Sequence, residues 1–481
     1  MAEHLQTKNL IGGEWVNADD GTTLDVVNPA TDERVASVPS GGSAETKRAI
    51  EAAHAALPGW RDRPAAERAQ ALHRFAVAMR RDSDRLARLM TAEQGKPLAE
   101  ASGEIAYAAS FVDWAAGEAP RVYGEMVQAS SASKRILVLR QAVGVCAIIT
   151  PWNFPAAMIT RKLGPALAAG CTVVIKPAED TPLSALALGE LALDSGIPAG
   201  VVNIVTGRPE RIGDALLDDE RVRKLSFTGS TEVGRILMSK ASRHLLRLSL
   251  ELGGHAPFIV FEDADVEAAV GAAMASKFRN AGQTCICANR FFVHDGVYDE
   301  FARGLADAIG GLKVGEGTRD GVQIGPLIND DAMTKVEQHV DDAKAHGGKV
   351  SLGGSRVKLE GLADRFYSPT LIENMSRDML LWREETFGPV APLRRFRSDD
   401  EAVEMANDSE FGLAAYFFTR DVGRLMRVAE RLEYGIVGAN DGAPSTAQAP
   451  FGGVKHSGFG REGGKYVMDE YTEIKYVSLG L

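Results

Sequence analysis

Between Val143 and Phe261 five short apolar runs alternate with four stretches of helical character. The runs are "VGVCAIIT", "TVVIKP", "GVVNIVTG", "KLSFTG" and "LSLELGG". Between them lie "RKLGPALAAG", "LSALALGELALDSG", "RIGDALLDD" and "STEVGRILMSKAS". Strands that are apolar on both faces must be covered on both faces, which predicts a parallel sheet with helices on either side. Such sheets take ligands beyond the carboxyl ends of their strands, at the point where the strand order reverses. "TPWNFP", "KPAED" and "FTGSTEVG" all fall at those ends, where a nucleotide is expected.

The rest of the chain is arranged around this unit. Residues 9 to 40 alternate β-prone runs with turns, and helices are predicted near 43–56 and 64–94. In the second, Leu72, Phe75, Met79, Leu86 and Leu89 form one apolar stripe, and "GKP" at 95–97 ends it. A second α/β rhythm starts near Pro257 with "PFIVF", passes a helix at about 265–281 and continues to about 430. The tail "KYVMDEYTEIKYVSLGL" alternates like a strand and pairs in prospect with "KRILVLRQ" at 134–141, a β-flap outside both units. At 481 residues the chain exceeds one hydrophobic core, and two or three domains are expected.

A net charge of −11 argues against nucleic acid as a partner, so any anionic small molecule must be drawn in by local cations. No apolar run reaches the roughly 20 residues of a membrane span. Four cysteines are too few for a disulfide framework, and a cytoplasmic protein with reduced thiols is expected.

Several segments invite chemistry. "GFGREG" (458–463) fits G-x-G-x-x-G, but it follows a glycine-rich loop and leads to the tail, so it reads as a structural turn. "GSTEVG" (229–234) lacks a P-loop lysine but joins a strand to a helix, where backbone amides face a phosphate well. Cys146 and Cys171 read as small core residues. Cys285 follows the small polar loop "NAGQT", unsuited to core packing, and is a good nucleophile if dipoles or cations lower its pKa. Glu251 interrupts an apolar strand before two glycines, as either a buried ion-pair partner or a base. Asn153, at a strand end, is either an oxyanion donor or an Asx turn.

Taken together, "ITPWNFP", "KPAEDTP", "FTGSTEVG", "LELGG", "GQTC", "EETFGP" and "APFGGVKHSGFGRE" occur in the order, and at about the spacing, of the aldehyde dehydrogenase superfamily, which the chain resembles over nearly its whole length. The resemblance implies a Rossmann-type α/β cofactor domain (1–124 and 143–253), an α/β catalytic domain (254–462) and an oligomerisation β-flap (125–142 and 463–481), with dimers or tetramers expected. It implies that Cys285 attacks an aldehyde, that the Asn153 amide and the Cys285 N–H hold the oxyanion, and that Glu251 activates water against the resulting thioester. Lys176 and Glu385 are similar to the residues that hold the two riboses, with Lys176 counted also among the catalytic residues, and Phe387 packs near the nicotinamide. Thr150, Pro151, Trp152, Gly229, Ser230 and Leu252 fall at further cofactor contacts. No metal is expected. An acylating dehydrogenase passing the acyl group to coenzyme A is the nearest rival, but a water-activating Glu251 would waste its thioester. A non-catalytic binding protein is disfavoured by the intact Cys285, Glu251 and Asn153.

Glu179 in "KPAED" implies NAD over NADP, because a carboxylate accepts ribose hydroxyls and repels a phosphate there. Arg161 and Arg279 stand where relatives acting on apolar aldehydes carry aromatic residues, and Ser445 matches a hydroxyl donor. The three imply a fork for a substrate carboxylate, as in the succinate-semialdehyde dehydrogenase subgroup. The bland alternative is that the arginines neutralise nearby acids. His255 and "DGAPST" depart from the usual pattern and imply a roomier tunnel, which keeps glutarate semialdehyde or another ω-oxo acid as the alternative. Cys287 reads either as inert or as the partner of Cys285 in a strained, reducible regulatory disulfide.

Overall fold

The computed structural model describes residues 5–481. The five predicted strands form the parallel centre of an eight-stranded sheet, in the order Val202–Ile204, Thr172–Lys176, Val145–Ile149, Val222–Thr228, Arg247–Glu251. In chain order this is 3-2-1-4-5, so the connections leave in opposite directions on either side of Val145–Ile149. Both faces of that strand are apolar for a reason: Cys146 and Ile148 join one buried cluster, and Val145, Ala147 and Ile149 join another.

The sequence marks residues 9 to 40 as β-prone but not what they pair with, and it gives no sign of the strand at the other edge. The N-terminal hairpin Asn9–Ile11/Glu14–Val16 adds antiparallel strands on one side, through Leu10 and Ile204. Gly458–Phe459 adds an antiparallel strand on the other, with Gly458 opposite Glu251. The predicted helix over 64–94 is two helices, Ala65–Arg81 and Ser83–Gln94. Asp82 breaks it, with φ −95° and ψ 14° and ion pairs to Arg81 and Arg85. A short acidic side chain at such a junction competes with the helical backbone, yet the whole apolar stripe stays buried across the break. A long helix that the sequence reading passed over follows at Leu98–Glu118.

The second unit is a seven-stranded sheet around Ala256–Val260 and Ala288–His294, with six parallel strands and one antiparallel edge. Arg290 is buried at its heart. Its guanidinium donates to the carbonyls of His255, Met405, Ala406 and Asp408 and to the Tyr434 hydroxyl. Met405 and Ala406 lie in the last turn of the helix Asp399–Asn407, whose final carbonyls lack helical partners and carry its negative pole. Arg290→Met is expected to cost roughly 3–5 kcal/mol, because it strands a set of buried acceptors, and to be read as an earlier urea midpoint.

The tail strand Thr472–Gly480 pairs antiparallel with Lys134–Ala142, which pairs with Glu125–Val127. The resulting three-stranded sheet leaves Met126, Ile474 and Tyr476 exposed.

Candidate active site

Both arms of the switch point end in the predicted residues. Val145–Ile149 runs into Thr150, Pro151, Trp152 and Asn153, and Val222–Thr228 runs into Gly229 and Ser230. Ser230 caps the helix Thr231–Ala241, its hydroxyl accepting from the Val233 amide at 3.3 Å. The helix's first amides lack helical acceptors, a setting that suits a phosphate. Lys176 is buried at the end of its own strand, 2.6 Å from the half-exposed Glu179 carboxylate. From the other unit, Glu385 accepts from the Gly254 amide at 3.1 Å. The Phe387 ring meets Trp152 edge-on at 5.5 Å. Leu252, buried, donates its amide to Ser457. Residues of the two units thus meet beside the switch point, Trp152 against Phe387 and Gly254 against Glu385.

Cys285 follows a turn that the sequence assigns to a helix. The helix Val266–Lys277 stops short of the predicted 281. Asn280 and Ala281 then take left-handed conformations, φ 52° and 54°, which reverses the chain and delivers the thiol. Gly282 continues the reversal at φ 77°, and a Cβ there would lie 2.2 Å from the Gly388 carbonyl oxygen. At Gly254 the constraint is closeness: a Cβ would lie 2.2 Å from the Cys285 carbonyl oxygen. "LELGG" and "NAGQTC" are therefore two halves of one contact.

Asn153 is buried, and its Nδ2 donates to the Gln283 carbonyl at 3.0 Å. Its second amide hydrogen is uncommitted to protein, which is what an oxyanion donor requires. Glu251 is buried with both carboxyl oxygens unpartnered among the described residues. Burial first, then the nearby Glu462 carboxylate, raise its pKa well above the ordinary range against Arg161, Lys162 and Arg461. The sulfur of Cys285 is hemmed in although part of the residue's surface is open, and burial pushes the thiol up to about 12, with Arg161 opposing. The lowered pKa that the sequence invited is not a property of this chain alone, because desolvation outweighs the cations. Both shifts favour the protonated forms, while attack needs a thiolate and hydrolysis a carboxylate. Aldehyde oxidation is therefore expected to quicken from mildly acidic to alkaline pH, measured as kcat/KM. A flat profile would contradict this.

The two arginines are not equivalent. Arg279, half-buried with its guanidinium 4.9 Å from the Phe154 ring, lines a cavity of about 280 Å³ with Tyr107, Phe154, Thr284 and Ser445. The Tyr107 and Ser445 hydroxyls are hydrogen-bonded to each other there. Arg161 is 1 % exposed and sits in the wall over the Phe451 ring at 3.7 Å. Its Nε is 3.1 Å from Glu462 Oε2, an ion pair without hydrogen-bond geometry, and neither Nε nor Nη2 makes a hydrogen bond among the described residues. Glu462 also binds Lys162, which donates to the Thr228 hydroxyl at 2.6 Å. "GFGREG" is not simply a turn: Gly458–Phe459 is an edge strand paired with Leu250 and Glu251, Gly458, Gly460 and Gly463 are at positive φ, and the segment carries Glu462 close to Glu251. Nothing in the motif's spacing signals that role, and Tyr107 lies in the overlooked helix.

Gly442 and Ala443 of "DGAPST" line the cavity, consistent with the roomier wall. His255 does not: it is a core residue with Nε2 3.0 Å from the Trp382 carbonyl. Cys287 is fully buried, its sulfur 3.2 Å from the Lys277 carbonyl oxygen, and both it and Cys285 are free thiols. A disulfide between them requires that sulfur to leave its carbonyl. Among the described residues there is no cluster with metal-ligand character, and no helix is long and apolar enough to cross a membrane.

A Rossmann-type switch point beside a thiol, a buried carboxyl and an amide donor is the arrangement of a dinucleotide-dependent oxidoreductase. The chain belongs to the aldehyde dehydrogenase family, whose pattern matches residues 15–477, and is an NAD(P)-dependent enzyme of that class. It is 55% identical over 472 residues to the succinate-semialdehyde dehydrogenase (NADP+) GabD of Escherichia coli, covering 98% of this chain and 97% of the relative. It is also 55% identical over 480 residues to the glutarate-semialdehyde dehydrogenase of Pseudomonas putida, covering 100% and 99%. The crystal structure of succinate-semialdehyde dehydrogenase from Burkholderia pseudomallei superposes with a TM-score of 0.97 at 56% identity, over 99% of this chain and 98% of that one.

Proposed function

We propose that the protein oxidises an aldehyde carrying a distal carboxylate to the dicarboxylate, with succinate semialdehyde as the preferred substrate and glutarate semialdehyde as the alternative. One observation carries this reading: the cavity beside the nucleophile's turn presents the Arg279 guanidinium and the paired hydroxyls of Tyr107 and Ser445. The two carboxyls that share the lining are already engaged, Glu104 with Lys96 and Glu100 with the Asn280 amide. A cation and hydroxyls lining one cavity recognise a carboxylate. In a molecule of net charge −11 they also supply the local attraction that the overall field lacks.

The switch point fits a nicotinamide dinucleotide. The Thr150 hydroxyl is buried without a partner among the described residues, and burial lifts the Glu385 carboxyl to about 7, as expected of polar groups awaiting a ligand. Lys176 and Glu385 would hold its riboses, and the Ser230-capped helix its phosphates. Cys285 gives its thiol proton to water and the thiolate adds to the aldehyde carbon, the carbonyl π pair passing to the oxygen of the thiohemiacetal, which is held by the Cys285 N–H and the remaining hydrogen of Asn153 Nδ2. The bound dinucleotide supplies the hydride acceptor that turns this adduct into a thioester. Glu251, ionised, takes a proton from the water that attacks the thioester carbon; the acid leaves and the thiol is restored. NAD is the preferred dinucleotide, because the exposed edge of Glu179 accepts ribose hydroxyls and repels a 2′-phosphate. The exposed three-stranded sheet serves assembly into dimers or tetramers.

The test is a panel of aldehydes with and without a terminal carboxylate, each assayed with NAD and NADP. Succinate and glutarate semialdehydes are expected to exceed butanal in kcat/KM, and NAD to exceed NADP. The name of the Escherichia coli relative specifies NADP+, so a preference for NADP here would overturn the reading of Glu179 and leave the rest standing.

A further inference from the structure

We propose that Lys96, Glu104 and Asn280 are positioning residues for the reaction, clamping Asn153 through its backbone so that its side-chain amide stays aimed at the oxyanion. The inference rests on the reading of Asn153 given above.

The Asn153 carbonyl oxygen accepts two hydrogen bonds from buried side chains, from Lys96 Nζ at 2.7 Å and from Asn280 Nδ2 at 2.9 Å. Lys96 is paired with Glu104 Oε2 at 2.5 Å. The other oxygen of Glu104 takes the amides of Ala156 and Ala157, at 2.9 and 3.2 Å, where the helix Ala157–Ala169 begins. One buried ion pair thus holds the chain on Asn153 itself and just downstream. Asn280 closes the other side. Its amide bridges Asn153 to the nucleophile's turn, and its backbone N–H is fixed by Glu100 Oε2 at 2.7 Å. Gln283, whose carbonyl receives the Asn153 side chain, in turn donates Nε2 to the Asn280 carbonyl at 3.0 Å. Oxyanion donor and nucleophile are thereby tied by one network.

Packing alone does not account for this. A lysine–glutamate pair with 1 % of each side chain exposed carries a desolvation cost that an apolar pair would avoid. Ala281 is held in a left-handed conformation that its β-carbon disfavours, next to Asn280, whose side chain tolerates it. Strain and buried charge meet at the residue whose amide must be placed to within a fraction of an ångström.

The test is a double-mutant cycle on the intact enzyme, reading the single-turnover rate of NADH formation with succinate semialdehyde. Asn280→Gly keeps the left-handed turn accessible and removes only the amide, while Lys96→Met removes the ammonium. Each is expected to slow the wild-type step about 10- to 100-fold, with KM changed far less. In an Asn153→Ala background each is expected to slow it by less than about 3-fold, because the group through which it acts is gone. Equal fold losses in both backgrounds, or none in the wild type, would overturn the proposal. A single Asn153→Ala change without effect would instead remove the reading of Asn153 on which it rests. Thermal melting and NAD binding certify that each variant is folded. Should Lys96→Met fail them, Asn280→Gly decides alone.

Discussion

Glu251→Gln is expected to stall the enzyme with its acyl group still attached. Mixing the variant with aldehyde and dinucleotide gives a burst of NAD(P)H approaching one equivalent per site, then steady turnover about 10²–10⁴-fold below wild type. Intact-mass analysis of the stalled protein finds the acyl group on Cys285, and Cys285→Ala shows neither burst nor adduct. The substitution is conservative, because burial and Glu462 both favour the neutral carboxyl. The amide matches that neutral form in shape and charge and differs only when a proton must be taken. Unimpaired turnover, or an adduct elsewhere, would remove the mechanism.

Arg279→Leu is expected to lower kcat/KM for succinate semialdehyde roughly 10- to 150-fold, the worth of a hydrogen bond to a charged group, and to change butanal about 3-fold or less. Arg161→Leu is expected to behave differently. Arg161 faces Glu462 at 3.1 Å beside the base, so its loss leaves a buried carboxylate less compensated and depresses both substrates. Equal losses on both aldehydes for Arg279→Leu would refute its role as the carboxylate receptor. The pair of variants thus separates recognition of the substrate's far end from electrostatic support of the chemistry.

What the sequence made legible follows from the range of each interaction. The five central strands were visible because two-sided burial writes itself as unbroken apolar runs, and the tail's pairing with 134–142 because alternation survives in an exposed strand. Cys285, Glu251 and Asn153 stood out because each is chemically odd for its place. The pairing of the sheet's edge strands was not legible: three residues at Asn9–Ile11 and two at Gly458–Phe459 carry no periodicity. The helix junction at Asp82 was hidden because the apolar stripe crosses it without a break. Glu462, Tyr107 and the Lys96–Glu104 pair matter through partners far away in sequence, which no local pattern records. The same holds for the inequality of Arg161 and Arg279: both are cations near the nucleophile in sequence terms, and only the fold puts one on the cavity and the other behind its wall.

The short strand at Gly458–Phe459 gives the molecule an unusual mechanical economy. It is stitched to Glu251 at one end, and from it the same stretch of polypeptide proceeds past Glu462 to the outermost ribbon at Thr472–Gly480. Whatever grips that ribbon from outside therefore holds a length of chain whose other end is paired with Glu251.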